Sequence, residues 1–139
     1  MALLIGVFLA LAVGLLATTL GLDRDRAFYP TVTIVIASYY CLFAVMGAST
    51  HALALESLIA AAFLAAAVLG FRGSLWVVVF ALAAHGILDV THSRIISNPG
   101  VPDWWPEFCL TYDLAAAGYL AWLLKTKRIP VAATATNQR

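Results

Sequence analysis

Apolar residues run along this chain in long unbroken stretches separated by short polar clusters. Neither the alternation of a half-buried strand nor the narrow stripe of a soluble amphipathic helix recurs. A bilayer-spanning helix needs roughly 20 mostly apolar residues, and the stretches 3–20, 28–47, 51–69, 75–96 and 104–124 approach or reach that length. The pattern predicts an all-α fold, a polytopic transmembrane bundle of five helices in a single domain over 1–127, with a flexible cytoplasmic tail over 128–139. The breaks are Asp23-Arg24-Asp25-Arg26, Ala48-Ser49-Thr50, Gly70 to Ser74, and Asn98-Pro99-Gly100-Val101. The last reads as a turn with Pro second and Gly third, and the Asp-Arg-Asp-Arg run reads as a solvated loop. Pro30 and Pro106 fall in first helical turns, where the missing N–H is tolerated. Asp103 is placed to cap the fifth helix. On the first span Gly6, Ala10 and Gly14 recur every four residues, a stripe that allows close approach of an internal or a partner helix. Met1 to Thr19 holds no Lys or Arg, and its apolar run exceeds a typical signal-peptide core, so it reads as an uncleaved span.

Composition agrees with this picture. Charged residues make up 11% of the chain and hydrophobic ones 63%, whereas a soluble domain carries about 25% charged residues. A formal net charge of +1 gives no sign of nucleic-acid binding. Cys41 and Cys109 are too few for a disulfide framework or a thiolate zinc site. They either pair in an oxidising compartment or stand as isolated core residues.

Charge sets the expected orientation. Five spans place loop 1–2, loop 3–4 and the tail on one side, with Arg24, Arg26, Arg72, Lys125, Lys127, Arg128 and Arg139. The other side holds only Arg94. The positive-inside rule puts the C-terminus in the cytoplasm and the N-terminus outside, as in a multi-pass protein of the bacterial inner membrane. Trp76 and Trp122 then fall near the inner interface, Trp104 and Trp105 near the outer one. The Trp104-Trp105-Pro106 stretch serves there as an anchor or as a lid.

The remaining polar residues lie inside the spans. Glu56, His85, Asp89, His92 and Asp113 share the outer half, and His51 sits at its rim. His85, Asp89 and His92 point at about 0°, 40° and −20° around their helix, one narrow face. A charge at the centre of a spanning helix costs about 2.5–3.5 kcal/mol on insertion scales. Spans 3, 4 and 5 are therefore expected to turn these faces toward one another, so that pairing or a bound cation lowers the cost. Tyr39, Tyr40 and Tyr112 lie at similar depth and could donate hydrogen bonds.

Part of the sequence is familiar. His85-Gly86-x-x-Asp89-x-x-His92, followed by Asn98-Pro99-Gly100-Val101-Pro102-x-Trp104-Trp105-Pro106, resembles a group of small uncharacterised bacterial polytopic membrane proteins. The resemblance covers the C-terminal third and implies no particular activity. The donor set is more distantly similar to the alkaline-ceramidase-like membrane hydrolases, which hold zinc with histidines and an aspartate among about seven spans. Their late His-x-x-x-His pair has no counterpart here.

Three functional readings fit. The first is a metal-dependent membrane enzyme acting on a lipid or other apolar small molecule. His85, Asp89, His92 and His51 would be candidate ligands for a Zn or Fe ion, and Asp89, Glu56 and Asp113 candidate catalytic carboxylates. His85 and His92 stand seven residues apart, about 10 Å along the axis, too far to share one ion unaided. The second is a metal-free acid/base isomerase using the same groups in an apolar pocket. The third is a non-enzymatic protein: haem-binding through His51 and His92, ion-conducting, or an accessory subunit of a homo-oligomer or larger membrane complex. Beside these stands a purely structural role, in which the buried histidines and carboxylates hold the helices in register.

Overall fold

The computed structural model describes residues 1–132. Five helices account for most of the chain: α1 (Ala2–Leu20), α2 (Phe28–Met46), α3 (Thr50–Arg72), α4 (Trp76–Ile95) and α5 (Trp105–Lys125). Each lies within three residues of the span expected from hydropathy. No strand forms among the described residues; one isolated bridge joins Ser74 to Ala132. Helices α1 to α4 are long and apolar enough to cross a membrane. Helix α5 is as long, at 21 residues, but Glu107, Asp113 and Lys125 dilute its apolar character. Leu4, Phe8, Leu58 and Phe80 are among the large apolar side chains that face outward, as suits a protein surrounded by hydrocarbon.

The helix ends show how local sequence sets the elements. Gly21 terminates α1 in the left-handed conformation, and its N–H bonds back to the last turn. The Ser49 side chain caps α3 by accepting from Ala52 N–H. The cap expected from Asp103 does not form: Trp104 holds the N-cap position of α5 without a side-chain bond, and Asp103 is exposed. Pro99-Gly100 does make the expected turn, closed by Val101 N–H to the Asn98 carbonyl. Gly100 is required there because a Cβ would collide with the carbonyl oxygen of Phe43.

Packing follows the small residues. The stripe on α1 is its only buried face, Gly6, Ala10, Gly14 and Ala17. It meets α5, with Gly6 against Thr111 and the Phe108 carbonyl, and Gly14 against the Tyr119 ring. Helix α5 continues onto α4, α4 contacts α2 and α3, and α2 packs along α3. At the end of the bundle bearing loops 1–2 and 3–4, Arg26 acts as a clasp. Its guanidinium donates to the carbonyls of Gly70, Phe71 and Gly73, and to that of Pro130. A cation at a helix C-terminus satisfies orphan carbonyls and complements the helix dipole. The Asp-Arg-Asp-Arg loop is thus not simply solvated: Arg26 is buried, and so is Asp23, which accepts from the Thr18 hydroxyl at 2.7 Å. Residues 128–132, expected to begin the flexible tail, fold back here. Leu75 N–H bonds the Val131 carbonyl, and Ile129 is buried. The rest of the expected tail, 133–139, lies outside the described residues.

Candidate functional site

The polar residues that sequence places in the spans are buried. Glu56, His85 and Asp89 are each 1% exposed, His92 3% and Asp113 0%. The buried face of α4 includes Leu82, His85, Gly86, Asp89 and His92, the face the spacing predicts. Gly86 lets α5 come close, since a Cβ there would press on Asp113 and Leu110. That approach is what brings Asp113 within reach of α4.

Two groups form, at different heights along that face. In the first, His85 Nδ1 lies 2.8 Å from Asp113 Oδ2 and 3.4 Å from Asp89 Oδ2. A ring nitrogen carries at most one proton, and among the two contacts only the one to Asp113 is a hydrogen bond. Asp89 Oδ2 and Asp113 Oδ1 are left buried with no hydrogen-bond partner. The Phe63 ring meets the imidazole edge-on at 4.8 Å between centroids. In the second group, His92 Nε2 lies 2.7 Å from Glu56 Oε1, and Asn98 Nδ2 donates to the same oxygen at 2.9 Å.

Tyr40, on α2, connects the two. Its hydroxyl donates to Asp89 Oδ1 at 2.6 Å, its ring stacks on His92 at 4.1 Å, and its carbonyl accepts from Asn98. Spans 3 and 5 thus each bring a carboxylate to the expected face of span 4, at different heights along it. Helices α3 and α5 each pack on α4 rather than on one another, and α2 supplies the link. Sequence pointed to Tyr40 only as one of three tyrosines at similar depth. Asn98 read as a turn residue and was missed; an amide directly before Pro-Gly, just beyond His92, is the one signal that could have pointed to it.

Other expectations resolve differently. His51 is exposed at the start of α3 and joins neither group. His85 and His92 do not share a centre, as their axial separation implied. Among the described residues, those able to surround one ion are His85, Asp89 and Asp113, whose ligand atoms lie within 4.8 Å of one another. Cys41 and Cys109 are both free. Trp105 is not a loose lid, because its ring packs among Tyr39, Phe43, Trp104 and Phe108.

Two openings flank the groups. A polar mouth of about 340 Å³ lies under loop 4–5, lined by His92, Ser97, Asn98 and Asp103 among others. An apolar groove of about 720 Å³ runs between α1, α2 and α5. No protein family, curated protein or solved structure matches the chain. The geometry therefore carries the functional reading.

Proposed function

We propose that this protein is a multi-pass membrane enzyme whose His85, Asp89 and Asp113 hold a divalent metal ion, Zn²⁺ or Fe²⁺, for work on a lipid or other apolar substrate. The observation that carries the reading is the single His85 Nδ1 facing two buried carboxylates, with oxygens left unpartnered. Buried carboxylates without partners are costly. A 2+ ion balances the charges of Asp89 and Asp113 and uses the neutral imidazole as its third ligand. With metal–ligand bonds of about 2.1 Å, tetrahedral ligands stand roughly 3.4 Å apart. The 3.4 Å and 2.8 Å separations at His85 Nδ1 need only a small opening to reach that. Three protein ligands leave a fourth position for water or substrate. Tyr40 would orient Asp89 from the second coordination shell, and Glu56–His92, beside the polar mouth, would serve as the acid/base pair.

The 2.6 Å Tyr40–Asp89 bond favours a second reading, a metal-free acid/base enzyme centred on Asp89. Elemental analysis of purified protein separates the two. Metal dependence predicts about one Zn or Fe per chain, lost in Asp113→Asn while helicity stays unchanged. A metal-free preparation that is fully folded and turns over substrate in the presence of chelator would overturn it. In the bilayer we place all five helices across the membrane, with loops 2–3 and 4–5 outside and Arg24, Arg26, Arg72 and Lys125 on the cytoplasmic face of a bacterial inner membrane.

A further inference from the structure

The groove between α1, α2 and α5 deepens this reading by naming the substrate class, and it rests on the metal-site proposal for its chemistry only. Its walls include Ile5, Leu9, Val32, Val35, Ile36 and Phe108. Ile5, Leu9 and Val35 are exposed on its rim, so it opens sideways where α1 and α2 diverge, toward the surroundings of the spans. One end is closed by Trp104 and Trp105, residues suited to the level of lipid headgroups.

The groove holds about 720 Å³. The lining from Phe28 to Tyr39 runs about 16 Å along α2 at 1.5 Å per residue.

The groove also borders the site. Cys109 and Tyr112 line it, and Asp113 lies beside Tyr112 and one turn from Cys109. Ile36 lines it on the opposite wall, one turn from Tyr40. The polar mouth is lined by Asn98, Asp103 and Pro106 and the groove by Trp104 and Trp105, so neighbouring residues at the start of α5 line the two openings.

We propose that the groove binds one acyl chain of a bilayer lipid, entering sideways from the leaflet, with the lipid's polar head beside residues 103–106 at the start of α5. The substrate is then an amphiphile with at least one long chain, and water-soluble analogues without a chain do not bind.

Native mass spectrometry of the full-length, delipidated protein titrated with dioleoyl phosphatidylglycerol tests this. One lipid is expected to remain bound per chain. Filling the groove with Thr31→Phe plus Val35→Phe, both exposed positions on one face of α2, is expected to reduce occupancy at least tenfold. Val77→Phe, in a separate crevice between α3 and α4, is expected to leave occupancy unchanged. Equal retention by the groove-filled and parent proteins overturns the proposal, as does a dimer mass that the double variant abolishes. Metal content read on the same samples keeps the two ideas apart. Asp113→Asn is expected to lose metal and keep lipid, and the double variant to do the reverse.

Discussion

Tyr40 shows how one side chain can hold a buried polar system together. Its hydroxyl satisfies Asp89, its ring covers His92, and its carbonyl anchors Asn98. The energetic weights of these contacts differ. A side-chain hydrogen bond inside a membrane is worth about 0.6 kcal/mol on average and up to about 1.7. Removing one partner of a buried ion pair costs about 3–5 kcal/mol, because a charge is left alone. Tyr40→Phe is therefore expected to cost about 1 kcal/mol, and His92→Ala, which strands Glu56, about 3–5 kcal/mol. Reversible unfolding in mixed micelles measures both, and the ordering fails if Tyr40→Phe is the more damaging. Glu56→Gln should lie between them, since an amide can still bond His92. At this scale the ionisable residues were legible from sequence, because an apolar helix has no other reason to carry them. Their partners were not: Asp113 could have met any of the four other ionisable side chains at that depth, and Asn98 belonged outwardly to a turn.

The elements are held by close approach rather than by large apolar side chains. Helix α1 contributes only glycine and alanine to the interior, so its place on α5 depends on the absence of side chains. Gly6→Leu would drive a side chain into Thr111 and the Phe108 carbonyl. It is expected to free α1 from α5, seen as faster amide exchange or protease cleavage in the 1–20 segment. Gly118→Ala, where nothing lies within 4 Å of the added carbon, serves as the control and should leave exchange unchanged. If Gly6→Leu leaves exchange unchanged as well, the stripe is not what seats α1. The period of the stripe was readable directly, but whether it faced a helix of this chain or a partner was not. A four-residue repeat of small side chains permits contact without choosing a neighbour. Helix ends were readable to within a turn, yet Arg26 as the clasp on α3 was not, since its four carbonyl partners lie more than 40 residues away in sequence.

Across the whole molecule, the described structure puts loops 1–2 and 3–4 and residues 128–132 together at one end, joined by Arg26 and the Leu75–Val131 bond. The other end carries the turn at Gly100 against α2. With Cys41 and Cys109 replaced by serine and alanine, a single cysteine at Asp103 should react with an impermeant maleimide in intact cells. One at Lys125 should react only after lysis, and the reverse pattern inverts the proposed orientation. What the sequence determined by itself was the solvent and the element list. Long apolar runs in hydrocarbon favour helices, because a helix satisfies its backbone groups within the segment, and four of the helices are long and apolar enough to cross a membrane. It also determined that His85, Asp89 and His92 share a face, since helical geometry alone sets their angles. Only the tertiary structure decided which residues meet across helices. Pairings such as His85 with Asp113 and His92 with Glu56 depend on how closely α5 and α3 approach α4. Gly86 is where α5 comes close to α4, and Asn98 bonds Glu56 of α3, contacts that no local pattern encodes.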